Sequence, residues 1–453
     1  MKIELLAGFG RATVNPPMGV RIAGYYKVRL AVGILDDLEA NAVALRLGDK
    51  TVLMITADHC GLLKDFIDEC KAELTKTLGI PGEAVYLHST HTHTAPTLLA
   101  KDDPSAIGDP LMCEYREILK AGIVEASRLA IADLAPAKMG YAVGQAPNIA
   151  FVRRFRMKDG TIRTNPGVNN PDIVAPIGDV DERVNVLRFT RKGREDIVIA
   201  HFGDHPDTVG GCKISGDWPG FTRRIVEKAI DNTRCIFFNG AQGDINHVNV
   251  HPKGGDLNDM FIDFDDVSRG YGHARHMGQV VAGAVMQVYD KVAYTEVDSI
   301  DYIQRDVEVP SNKPTPEEMS LAHKYNDLHK AGRDDEIPYT GMMLTTVVAE
   351  AARKVRLENG PDTFPLHFSA VKIGNVAFFG IPGEPFMAIG KSIKELPGWD
   401  LIFPTCNTNA KVGYFPNTEA YEEGGYEAGS SPFKVGVAER IVESAAEILG
   451  ELK

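Results

Sequence analysis

The sequence predicts a mixed α/β protein, with sheets flanked by helices and a site gathered where strands end. Three observations carry that reading. Short apolar runs, among them Ala84–Leu87, Ile197–Phe202 and Cys235–Phe238, read as buried strands. They alternate with amphipathic stretches whose apolar residues fall at helical spacing. Several of the strands then run into polar, glycine- or proline-marked segments that carry histidine, asparagine or a carboxylate, and strand ends are where α/β proteins build sites.

Taken in order, Ala40–Leu47 and Thr51–Thr56 predict a hairpin around Gly48-Asp49-Lys50, closed by Asp58, which reads as a turn or cap residue or a site residue. Leu62, Leu63, Phe66, Ile67, Cys70 and Leu74 predict a helix over 61–80. A second helix is expected over 109–134, a third from Phe221 to Ile230, and a fourth over 268–292 with His273 and His276 on one face, read as structural or surface groups. Residues 311–358 are charged and helical from Pro314-Thr315-Pro316 onward, with too few large apolar residues for a core of their own. They are expected to form a helical insertion or lid on a single domain spanning 1–453. Leu366–Ile373 and Val376–Ile381 predict a second hairpin around Gly374-Asn375, followed by a strand at Leu401–Pro404 and a last helix from Pro432 to Leu449. No internal repeat is evident.

Composition bounds the function. The 453 residues carry a formal net charge of −13, which argues against a nucleic-acid footprint and against binding an anionic membrane surface. No apolar run reaches the ~18 residues of a membrane span, and Met1–Leu6 does not open a leader peptide. The six cysteines are scattered without a C-x-x-C, as in a reduced, cytoplasmic protein.

The chemistry-bearing stretch is Tyr86–Pro96, with His88, His91 and His93 within six residues. In an extended chain His91 and His93 face the same side, which makes either half of a metal site or a polar strand end with hydrogen-bonded histidines. Arg153-Arg154-Phe155-Arg156 is a basic spot in an acidic chain, either an exposed paired strand or an anion- or carbonyl-binding element. His205, Asn246, His247, Glu384 and Tyr414 stand at the other strand ends. Two histidines and a glutamate are a usual catalytic zinc set, and the collection tips the balance towards metal.

These motifs, together with Gly8–Ala12, Ala23-Gly24-Tyr25, Ile214–Asp217, Gly243-Asp244-Ile245, Pro382-Gly383-Glu384 and Tyr426-Glu427, resemble the neutral/alkaline (non-lysosomal) ceramidase family in its catalytic-domain part. The resemblance spans nearly the whole chain, without the family's C-terminal immunoglobulin-like domain, as in a shorter bacterial-type member. It implies one zinc ion held by His91, His205, Glu384 and Tyr414. It further implies His93 beside the metal, Tyr426 facing the substrate, and a site arginine at Arg153 or Arg154. One position departs: the family loop G-D-V-S-P is here Gly243-Asp244-Ile245-Asn246-His247. An amide is no nucleophile, so an acyl-enzyme through residue 246 is excluded.

The expected function is zinc-dependent hydrolysis of an amide bond, with His93 as general acid/base and Tyr426, Asn246 and an arginine steadying the oxyanion. The substrate is expected to be a small molecule other than ceramide itself. Two alternatives stay open: a zinc-dependent lyase or isomerase acting on a sugar- or cyclitol-like carbonyl, and a non-catalytic metal-containing binding protein. The sequence leaves the oligomeric state open.

Overall fold

The computed structural model describes residues 4–100, 109–260 and 270–453. Met1, Lys2 and Ile3 of the opening segment, and residues 268 and 269 of the fourth expected helix, lie outside the described residues.

The chain repeats one supersecondary unit three times. In the first, Leu5–Thr13 pairs antiparallel with Glu39–Leu47, which turns back through Gly48 (φ +62°) into Lys50–Ala57. The helix Lys64–Leu78 then carries the chain to Val85–Ser89, parallel to Lys50–Ala57. The second unit follows the same plan with Ala135–Gln145, Arg183–Arg191, Asp196–Phe202, the helix Asp217–Ala229 and the parallel strand Thr233–Asn239. The third uses Ile300–Pro310, Thr363–Ile373, Val376–Gly380, the helix Met387–Lys394 and the parallel strand Leu401–Thr405. Each unit is followed by a longer helix, respectively Pro110–Ala132, Tyr271–Val288 and Val437–Glu451. The sequence reading found no internal repeat, and the structure corrects it. The likeness lies in connectivity, and the segments inserted between first and second strands, 14–38, 146–182 and 311–362, share neither length nor pattern.

The first two units join edge to edge into a nine-stranded sheet through a short contact, Leu6 opposite Pro136 and Ala7 opposite Ala135. The four-stranded sheet of the third unit packs against it. Val43, Met54, Tyr86, Leu187, Phe238, Phe378 and Phe403 belong to one buried cluster between the sheets. Phe378 and Phe403 stack there with ring centroids 4.3 Å apart. On its outer face each unit is covered by its own helices over a separate apolar cluster. Strands buried on both faces lose the polar alternation, which is why they stand out as continuous apolar runs.

Helix boundaries follow local chemistry. Asp109 caps Pro110–Ala132 by accepting from the Met112 N–H, with Pro110 in the first turn. The helix expected from Phe221 begins earlier, at Asp217, because Pro219 sits in a first turn that needs no N–H from it. The last helix begins at Val437 rather than Pro432 and follows a glycine with positive φ, Gly436. Asp58 is neither cap nor turn residue. It forms a fully buried ion pair with Arg223 at 2.6 Å, tying the first unit to the helix of the second.

Residues 311–358 hold two helices, Pro316–Lys330 and Gly341–Leu357, the first opened by a Thr315/Glu318 capping box. Met319, Ala322 and Ala351 make a small cluster between them. None of the six cysteines is in a disulfide, and among the described residues no helix is long and apolar enough to cross a membrane.

Candidate metal centre and cleft

The repeat explains where the site lies. In each unit the third strand ends in a polar loop: Asp58-His59-Cys60-Gly61, Asp204-His205-Pro206-Asp207 and Pro382-Gly383-Glu384-Pro385. The fourth strands end in polar loops too, and these loops from all three units meet.

His91 follows Val85–Ser89, but not in the extended conformation that the sequence suggested. Its φ is +75°, a left-handed geometry costly for a residue with a Cβ. The bend is pinned by the His91 N–H donating to His59 O and the His93 N–H donating to Pro206 O. His91 and His93 therefore converge through a turned loop and not through strand alternation. Their Nε2 atoms are 3.2 Å apart, and His205 Nε2 is also 3.2 Å from His91 Nε2. Glu384 Oε2 lies 3.3 Å from His91 Nε2 and 3.4 Å from His205 Nε2.

The protonation pattern decides what this cluster is for. His91 Nδ1 donates to Cys60 O and His205 Nδ1 donates to Gln242 O, which leaves each Nε2 as a lone pair. Glu384 Oε2 is buried and lacks a hydrogen-bond partner. Three acceptor atoms thus converge in a buried pocket, an arrangement that suits a cation held between them. Burial, then Arg153 and His91, pushes the His205 pKa down to about 3, so the ring is neutral and ready to ligate. Burial works to raise the Glu384 carboxyl, whereas positive charge at the His91 and His205 positions, supplied by ring protons or by a cation in their place, holds it well below its usual range. A second ligand-like set, Cys60, His91 and His93, shares His91. It fits less well, because burial pushes the Cys60 thiol up and its Sγ accepts from Lys411 Nζ at 3.4 Å.

The remaining expected site residues divide. Tyr414 pairs with Glu384 across a two-residue bridge, and its ring stacks on His205 with centroids 6.4 Å apart. Tyr426 packs edge-on against Tyr414 at 5.6 Å. Burial raises both phenols well above their ordinary value, so each stays a hydrogen-bond donor. Arg153 faces the cleft: it donates to Glu427 at 2.7 Å and to Gly243 O at 2.6 Å, and its guanidinium lies over the Tyr414 ring. Arg154 turns the other way, to Glu423 and over Phe386. Asn246 is not brought to the cleft. Its amide donates to Asn165 Oδ1 at 3.0 Å and accepts from the Val248 N–H, while Asn165 lines the cleft instead. His88 is structural, held between Cys406 O and the Asn239 N–H. His273 and His276 line a separate cavity of ≈ 570 Å³ with His247.

The inserted segments of all three units wall the cleft, a cavity of ≈ 990 Å³. Tyr25 and Arg29 come from the first, Arg153 and Asn165 from the second, and His329, Met342 and Val348 from the helical third. Gly24 (φ +99°) lies so close to the His93 ring that an added Cβ would sit 2.6 Å from it. Gly24, Asn165, Glu427 and Lys411 were missed as site residues in the sequence, which showed the third insertion only as an insertion or lid. Only the twice-repeated Asp-His after a strand, 58-59 and 204-205, offered a signal that these loops were equivalent.

The fold is that of neutral ceramidase. The chain superposes over 100% of its length on 75% of the crystal structure of neutral ceramidase from Pseudomonas aeruginosa, with a TM-score of 0.75 and 18% identity. A ceramidase structure described as complexed with C2 gives a TM-score of 0.73 at 18% identity, over the same shares of the two chains. No family model and no curated protein matches the sequence.

Proposed function

We propose that this chain is a zinc-dependent hydrolase that cleaves an amide bond in a small molecule other than ceramide. The observation that carries the reading is the convergence of the His91 Nε2, His205 Nε2 and Glu384 Oε2 lone pairs. The fold likeness to neutral ceramidase supports the reaction class. His91, His205 and Glu384 hold the metal, with Tyr414 beside them as the fourth ligand. A zinc ion bound there lowers the pKa of coordinated water towards neutrality and polarises a carbonyl.

The chain's own residues do the rest. Burial and the neighbouring His91 keep the His93 ring neutral, so it accepts a proton from the attacking water and passes it to the leaving amine. The Tyr426 phenol and the Arg153 guanidinium donate to the developing oxyanion. Asn246 is a positioning residue that holds the Asn165 amide against the cleft. The helices within 311–358 act as a lid on a single catalytic domain.

Metal analysis of the purified protein, beside hydrolysis of short N-acyl amides, tests this. One zinc per chain, lost in His205→Ala together with amide cleavage, is the expected result. Full cleavage by His205→Ala without metal would sink the proposal. A product that gains no water would move the chemistry to a lyase or isomerase.

A further inference from the structure

We propose that Lys411 and Arg356 form an anion-binding subsite beside the metal centre, so that the substrate carries a carboxylate or phosphate. This rests on the reading that the substrate reacts at that centre. The two cations line a recess of ≈ 520 Å³ that also contains His91, Glu384, Tyr414 and Tyr426.

The argument starts from what the other cations do. The chain has 62 acidic against 49 basic residues, and most of its buried arginines are matched by carboxylates: Arg153 with Glu427, Arg154 with Glu423, Arg223 with Asp58, Arg191 with Asp133, Arg116 with Asp65 and Glu69; Arg353 is held instead by the Asn312 and Gly429 carbonyls. Among the described residues neither Lys411 nor Arg356 forms an ion pair with a carboxylate.

Lys411 is also built into place. Its aliphatic stem lies across Gly61, where an added Cβ would sit 2.0 Å from Lys411 Cδ. Its Nζ donates to Cys60 Sγ at 3.4 Å, a weak acceptor that uses one of three ammonium protons. A cation withdrawn from water needs a partner, and the nearby Glu384 is committed to the metal set. Arg356 stands in the last turn of Gly341–Leu357, exposed, with a guanidinium that offers a planar fork. The recess thus presents a point charge in its wall and a forked donor at its mouth. With a divalent metal only partly offset by Glu384, it is net positive. A neutral amide leaves that charge unmatched; an acid matches it.

The test uses zinc-loaded protein and two substrate pairs: an N-acylglycine against its glycinamide, and an N-acylethanolamine phosphate against its free alcohol. In the wild type kcat/KM for the anion is expected to exceed that for its neutral partner by about 10- to 100-fold. In Lys411→Met and in Arg356→Met that ratio is expected to fall towards one. The pair with the larger ratio identifies the anion as carboxylate or phosphate. Equal values within both pairs, with hydrolysis intact, would overturn the subsite and leave the hydrolase reading standing. If no amide is cleaved, calorimetric binding of the same four compounds decides. Anion preference present in the wild type and lost in the variants upholds the subsite without the amide reading; no preference overturns it. Arg356→Met, at the solvent-facing mouth, carries the test if Lys411→Met does not fold.

Discussion

Gly24 is where the proposed catalytic geometry meets a one-atom change most directly. Its positive φ and its contact with the His93 ring mean that a methyl group both strains the backbone and displaces the imidazole. Gly24→Ala is expected to lower kcat by about 100-fold, since a 1 Å misplacement of a reacting group costs that much. Zinc content should not change, because His91, His205 and Glu384 are untouched; a kcat within twofold of wild type would remove His93 from the mechanism. The two adjacent arginines separate in the same way. Arg153→Met strands Glu427, whose side chain has no exposure, and is expected to cost about 3–5 kcal/mol in denaturant unfolding. Pairing it with Glu427→Gln should restore most of the stability and none of the activity. Arg154→Met, which breaks contacts to the partly exposed Glu423, to Gly424 O and to the Phe386 ring, all turned away from the cleft, should leave kcat near wild type.

The strand-ending loops were the most legible elements. Apolar runs such as Ile197–Phe202 give themselves away because both faces are buried, and the polar residues that follow them mark the site. The bend at His91 was not legible. It depends on hydrogen bonds to His59, 32 positions before His91, and to Pro206, 113 positions after His93, that no local pattern encodes. The helix at Asp217 was hidden by a proline and a glycine that read as breakers but sit where a first turn tolerates them. Asp217 itself, at φ +54°, accepts the N–H groups of Val209 and Trp218. Burial nevertheless pushes its pKa up to about 7, from an ordinary 3.8. The folded state therefore binds the proton more tightly than the unfolded one. Its contribution to stability is complete below about pH 4 and is lost as the pH rises through 7. Thermal unfolding between pH 5 and 8 should show a decline for the wild type that Asp217→Asn largely removes. Parallel curves for the two proteins would assign the decline elsewhere.

At the scale of the molecule, the three units share one inner core, and Phe378 stands at its centre against Tyr86, Phe238 and Phe403. Phe378→Ala is expected to destabilise by about 3–5 kcal/mol in denaturant unfolding, because three rings border the void it leaves. A cost below 1 kcal/mol would mean that the sheets close over the gap. The threefold plan was invisible in the sequence because its insertions diverge, yet it is what gathers His91, His205 and Glu384 from one unit each. That distribution orders events during synthesis. A ribosome extrudes the two imidazoles long before the carboxylate, and Tyr414 emerges later still. A nascent chain therefore holds an incomplete set of these groups, and they come together only when all three units are made and docked.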